Sequence, residues 1–229
     1  MCGRFVSSTP ASVLAEQFLV SDIKVAELAA RWNVAPTDEV LAVATSKGVR
    51  RLGSFSWGLV PSWSKDARKG RPLVNLRADT VMTRPAFRRL LAAHRCIVPA
   101  DGFYEWQAAT PERPKRPVFI HRRDGQPLAL AGLWAAWRAS DADDDTAWLR
   151  TCTIITAEPN ELVALVHGRM PVILPPESWD RWLDSTIDDT AMLGELLVAH
   201  PAEQMELWPV STEVNSVRND GPSLVEPVG

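Results

Sequence analysis

Leu128-Ala129-Leu130-Ala131-Gly132-Leu133-Trp134-Ala135-Ala136-Trp137 is an uninterrupted apolar run of strand length, and it decides the fold. A helix of this length at the surface would show polar residues at every third or fourth place. A strand covered on both faces shows none. Six further runs rich in β-branched or aromatic residues read the same way: Val40 to Thr45, Leu52 to Trp57, Cys96 to Val98, Val118 to Arg122, Trp148 to Thr156 and Leu207 to Val210. They do not alternate with helices, which argues against a doubly wound parallel sheet. The expectation is an α+β domain with curved, largely antiparallel, barrel-like sheets and flanking helices.

The helices are signalled between these runs. Thr9-Pro10 reads as an N-cap with proline at the first helical position, ahead of Val13, Leu14 and Phe18. A second helix starts near Thr83-Arg84-Pro85 and buries Phe87, Leu90 and Leu91. A third starts near Glu158-Pro159, turns Leu162, Leu165 and Val166 inward, and stops at Gly168, leaving His167 at its end. Further helical patterns cover Glu177 to Leu183 and Asp189 to Val198. Thr110 to Pro117, rich in proline and charge, reads as a hairpin loop. Residues 1–221 read as one domain and 222–229 as a loosely held tail.

With 229 residues and 46% apolar content, the chain can bury one sizeable core. No apolar run approaches the roughly 20 residues of a membrane-spanning helix, and Met1 to Thr9 lacks the apolar stretch of a signal peptide. A cytoplasmic monomer, nucleoid-associated when engaged, is expected. Cys2, Cys96 and Cys152 form neither a disulfide framework nor a zinc-binding pair, so no metal or cofactor is called for. A net charge of −3 excludes a wholesale polyanion binder, but Lys65 to Arg95 holds nine basic residues against two acidic ones, a local charge of +7. That stretch reads either as a phosphate-attracting face or as a solvated helix face with a basic loop. The acidic run Asp141, Asp143, Asp144 and Asp145 reads as a solvated loop.

Position 2 carries unusual chemistry. Once Met1 is cleaved, Cys2 offers a free α-amine and a thiol joined through two carbons, so an aldehyde taken up as an imine can be closed into a thiazolidine. An α-amine with a pKa of about 7.7–8.0 is about two orders of magnitude more available near neutral pH than a lysine at about 10.4. Thiol attack also benefits from thiolate character, which a cation such as Arg4 is expected to promote.

Seven segments occur in order: Met1-Cys2-Gly3-Arg4-Phe5, Arg31 to Pro36, Trp57 to Pro61, Asn75 to Thr80, Cys96 to Trp106, His167 to Pro171, and Pro209-Val210-Ser211 with Val214-Asn215. Together they resemble the SRAP family (SOS response-associated peptidase), whose members shield abasic sites in single-stranded DNA. Leu76 and Asp79 depart from that family's Asn-Ala-Arg-x-Glu-Thr pattern, and its tryptophan-rich stretch is reduced to Trp63.

The resemblance implies a catalytic set of Cys2, Asn75, Glu105 and His167. Glu105 would move protons during imine formation, which is worth about 10²–10⁴ in rate. His167 would protonate the sugar ring oxygen, and Asn75 would hold the Cys2 amine or the sugar hydroxyl. Arg4, Arg77 and Arg169 would grip phosphates, with Trp63 and Trp106 stacking on neighbouring bases. The implied activities are covalent crosslinking to single-stranded DNA containing abasic sites, removal of Met1 by autopeptidase action, and lyase-like chemistry. Two alternatives stay open: an N-terminal-nucleophile hydrolase or amidotransferase using Cys2, and a non-covalent single-stranded DNA-binding module.

Overall fold

A computed structural model describes residues 2–25, 28–64, 66, 71–109, 114–138 and 148–228. Among the described residues the strands are β1 (Phe5–Ser7), β2 (Asp22–Ile23), β3 (Arg31–Val34), β4 (Glu39–Ser46), β5 (Val49–Trp57), β6 (Asn75–Arg77), β7 (Arg95–Ala100), β8 (Gly102–Gln107), β9 (Arg116–Arg122), β10 (Leu128–Trp137), β11 (Leu149–Ala157), β12 (Met170–Pro171) and β13 (Met205–Pro209). The helices are α1 (Ala11–Gln17), α2 (Ala78–Thr83), α3 (Pro85–Ala93), α4 (Glu161–Ala164), α5 (Trp179–Leu183) and α6 (Thr190–Gly194).

The larger sheet runs β12-β11-β10-β7-β4-β5-β2, and β11 also pairs back onto β5, so β11, β10, β7, β4 and β5 close into a barrel. Side-chain parity explains its two apolar surfaces. Val40, Ala42, Phe55, Trp57, Cys96, Val98 and Cys152 share one buried cluster. Their sequence neighbours Leu41, Val43 and Ile97, together with Leu133 of β10, share another with α1, α3, α5 and α6. β10 is covered on both faces, as its apolar run requires. The fold is the expected α+β arrangement of curved, mainly antiparallel sheets with flanking helices.

The second sheet has the order β13-β9-β8-β1-β3. β8 and β9 form the hairpin around the expected loop, although Arg116 and Pro117 already belong to β9 and residues 110–113 lie outside the described residues. Gly102 opens β8 where the chain must pass against β9. A Cβ there would stand 2.4 Å from Phe119 Cζ and 2.8 Å from the Ile120 carbonyl oxygen.

Several local expectations change. Pro10 caps α1 from outside and Thr9 does not cap it, because the Thr9 hydroxyl bonds to Asp101. Val13 is exposed, and Ala11, Leu14 and Ala15 form the buried stripe of α1. α4 starts at Glu161 because the Asn160 side chain accepts from Val163 N at 2.9 Å, and that register buries Val163 while Leu165 is 70% exposed. The Asp189–Val198 pattern is helical only through Gly194. Arg95 leaves the expected phosphate-attracting face. It is 5% exposed and donates to the carbonyls of Leu91, Ala92, Trp182 and Asp184, closing the ends of α3 and α5. Lys65, Arg68, Lys69 and the acidic run at 141–145 lie outside the described residues. The expected loose tail is held: Leu224 is buried, Trp208 Nε1 donates to the Val225 carbonyl at 2.8 Å, and Val228 N donates to the Pro209 carbonyl at 3.0 Å.

Gly102→Ala is expected to destabilise the protein by about 1–3 kcal/mol, because its methyl group overlaps a ring and a backbone oxygen. A fall in the urea midpoint with an unchanged slope would show this.

Candidate functional site

The site is assembled by β1, β8 and β11. Phe5 pairs with Phe103 and Val6 with Gly102, and Tyr104 N donates to the Arg4 carbonyl at 3.0 Å. Continuing this antiparallel register brings Gly3 opposite Glu105, so Cys2 arrives beside the carboxylate. Glu105 is 3% exposed and Cys2 is fully buried.

β11 delivers the other groups. Asn75 pairs with its Ile154, because β6 lies parallel to β11. Trp57 steadies this junction by donating from Nε1 to the Val74 carbonyl at 3.0 Å, while its ring packs edge-on to Phe5 at 4.9 Å. Asn75 Nδ2 then donates to the Cys2 carbonyl at 2.8 Å. Asn75 therefore grips the backbone of Cys2 through its carbonyl, where the sequence suggested the amine or the sugar hydroxyl. Its Oδ1 is buried with no partner among the described residues.

His167 lies between α4 and β12, which pairs Met170 with Ala157 of β11. The N–H of Arg169 donates to His167 Nδ1 at 3.0 Å. The same Nδ1 lies 3.1 Å from the Arg169 carbonyl oxygen, so its partner within the turn changes with the tautomer. His167 also borders a cavity of about 420 Å³ whose walls include Gln107, Arg116 and Leu165.

The electrostatics of Cys2 correct one expectation. Burial pushes its thiol well above the usual range, the Glu105 charge pushes in the same direction, and the amino-terminal charge opposes them. Arg4 does not promote a thiolate. Its guanidinium points to Asn33 Oδ1 at 2.7 Å, the Val214 carbonyl at 2.8 Å and the Asn215 carbonyl at 3.3 Å, and lies 5.9 Å from the centre of the Trp106 ring. Burial lowers the pKa of this guanidinium.

The groups expected to touch DNA are thus unequal. Arg4 is spent on internal carbonyls, and Trp106 donates from Nε1 to Asn215 Oδ1 at 2.6 Å. Arg77 is exposed, bonding Asp79 through two atoms at 3.1 and 2.6 Å. Arg169 meets Glu158 at 3.2 Å, and Trp63 is 56% exposed in a loop.

Two positioning residues carry more than their sequence neighbours suggested. Asn33 is fully buried and donates to the carbonyls of Val214, Ser216 and Asn219. Asp101 accepts from Ser8 N at 2.5 Å, Ser8 Oγ at 2.8 Å and Thr9 N at 3.1 Å. Both stand inside quoted segments, and a polar residue set in an apolar run is the signal that marks them.

Asn75 pinning the Cys2 backbone beside the buried carboxylate of Glu105, in an α+β domain built around a small closed barrel, defines the class by its fold and by a candidate site at the start of the chain. Residues 1–217 match the family "SOS response associated peptidase (SRAP)", and the chain belongs to that family. The abasic site processing protein YoqW of Bacillus subtilis is 39% identical over 227 residues, covering 99% of each chain. The abasic site processing protein YedK of Escherichia coli is 32% identical over 235 residues, with both chains fully covered. A solved structure from Bacteroides thetaiotaomicron superposes with a TM-score of 0.84 at 26% identity, covering 99% of this chain and 100% of that one.

Glu105→Gln should remove one of the two influences that raise the Cys2 thiol. At fixed pH near 8, iodoacetamide should then label Cys2 about three- to tenfold faster, since one pKa unit is a tenfold change in thiolate. Peptide mapping checks this, with buried Cys96 and Cys152 as internal references.

Proposed function

We propose that the protein processes abasic sites in single-stranded DNA by capturing the sugar aldehyde on Cys2 after Met1 is removed. The observation that carries this reading is the Asn75–Cys2 clamp at 2.8 Å beside the buried Glu105. The names of the relatives, abasic site processing proteins, support the substrate class.

Chemically, the imidazolium form of His167 gives a proton to the ring oxygen of the closed sugar, the ring C–O bond breaks, and the anomeric hydroxyl loses its proton to water, leaving the aldehyde. The Cys2 amine adds to it and water leaves, giving an imine, with Glu105 accepting the amine proton and returning it to the departing hydroxyl. The thiol then adds across the C=N bond. Sulfur bonds to carbon, and the S–H proton goes to nitrogen. A thiol kept protonated by burial suits this last step, because it brings the proton the nitrogen needs. Asn75 fixes the backbone on which amine and thiol both hang. The imine also opens a route to strand cleavage by lyase chemistry, and closure to the thiazolidine shuts that route.

Arg77 and Arg169 are the phosphate contacts, with Trp63 the exposed stacking ring; Arg4 and Trp106 hold the floor under the lesion. Such contacts read no base sequence and weaken with salt. Met1 removal is assigned to the same pocket, and the protein acts as a cytoplasmic monomer.

Intact-mass measurement with and without an abasic oligonucleotide tests the reading. Cys2→Ala should abolish the covalent adduct, and Asn75→Ala, Glu105→Ala or His167→Ala should slow its formation by about 10²-fold or more. Full adduct yield in Cys2→Ala, or full function in protein retaining Met1, would sink it. Glutamate and ammonia released from glutamine would favour amidotransferase chemistry instead.

A further inference from the structure

The barrel strands do not stay paired along their whole length. Parallel β5 and β11 bond at Ser56–Thr151 and Trp57–Cys152. Upstream of those pairs β5 turns to β2, pairing Arg51 with Asp22, while β11 stays with β10 and pairs Leu149 with Trp137. A cavity of about 480 Å³ opens where they diverge. That is inside the range of roughly 300–1,000 Å³ typical of small-ligand sites, and barrel mouths are a recurrent place for them.

Its floor is apolar, with Phe55 and Trp134 edge to face at 6.0 Å. Its rim carries Lys24, Lys47, Arg51 and Arg150. Asp22 engages two of these, Lys24 at 3.1 Å and Arg51 at 2.9 Å, and Arg51 also donates to the Ser46 carbonyl. Among the described residues, Lys47 and Arg150 have no ion pair and no carboxylate lines the cavity. An apolar, aromatic floor under uncompensated positive charge calls for a guest with a flat ring and an anionic group.

We infer that this barrel mouth is a second nucleotide subsite, taking a base against Phe55 and Trp134 and its phosphate at Lys47 and Arg150. Aromatic side chains offer any base a stacking face, and flanking cations follow its backbone. None of Cys2, Asn75, Glu105 or His167 borders the cavity. Arg150 precedes Ile154, the partner of Asn75, by four residues, or about 13 Å of strand. The subsite therefore acts on intact nucleotides, whether free or within a strand, and needs no abasic lesion.

The test is photocrosslinking of the full chain to a short, intact single strand carrying 5-iodouracil, with the attachment point mapped by peptide mass spectrometry. Adducts at Phe55 or Trp134 are expected. The double variant Lys47→Asn, Arg150→Glu should cut their yield at least about fivefold, since each lost cation removes a phosphate contact. Both side chains are exposed, and asparagine suits the left-handed backbone at Lys47, where φ is 52°. A parallel arm with 5-iodo-deoxyuridine monophosphate separates the sources: adducts with the monophosphate identify a free-nucleotide site, and adducts only with the strand identify a stretch of DNA path. No adduct at either ring, or an undiminished yield in the double variant, overturns the inference. Because the probes carry no abasic site, that failure leaves the chemistry at Cys2 untouched, and loss of the Cys2 adduct leaves this subsite standing.

Discussion

The whole site depends on where β1 lies, and β1 has only three residues. A strand so short makes a handful of hydrogen bonds, each worth about 0.5–1.5 kcal/mol net, which is little against the cost of ordering a chain end. Two polar braces make up the difference. Beyond its C-terminal end, Asp101 gathers the backbone and hydroxyl donors of Ser8 and Thr9. Before its first residue, Arg4 reaches Asn33 and the 214–215 carbonyls, tying the chain start to the 3₁₀ turn at Thr212–Asn215. Burial of Phe5 against Trp57 and Phe103 fills the space between the braces. Cys2 is thereby delivered to one place without a helix or a disulfide to hold it.

This arrangement explains why Arg4 is not a surface cation. A guanidinium has five donors in a fixed fork, and carbonyls at a chain turn can take up that fork and leave it unavailable to phosphate. The same logic removes Arg95 from the basic stretch, since four carbonyls at two helix ends need donors that the helices cannot supply. Counting charges along the sequence treats every arginine as available. Burial decides which ones are.

Much of the architecture was legible because the barrel strands are long and apolar on both faces; β10 has the same bounds in the sequence reading and in the structure. The strands that hold the site, β1, β3, β6 and β8, were not legible as strands. Each is short, and Arg4, Asn33, Asn75 and Glu105 interrupt the hydrophobic alternation that would reveal them. Asparagine capping of α4 was hidden for a related reason: Pro159 suggests an earlier start, and only the Asn160 contact to Val163 fixes the register. For the site, the segments named Cys2, Asn75 and Glu105, and the structure brings those three together. Their hydrogen-bonding partners depend on strand register, which spacing does not encode.

Burial of Cys2 also bears on the order of events in the proposed capture. A thiol pushed up in pKa by its surroundings and by a neighbouring carboxylate is a poor first nucleophile, since the thiolate is the reactive species. An exposed thiolate would add to any passing aldehyde and release it again. Holding the thiol neutral leaves the first bond to the amine, and the sulfur attacks only once an imine nitrogen stands close enough to take its proton. In the proposed capture, selectivity for an aldehyde that fits the pocket would follow from the same burial of Cys2. The Glu105 charge that raises the thiol would, in the proposed scheme, also move protons at the amine.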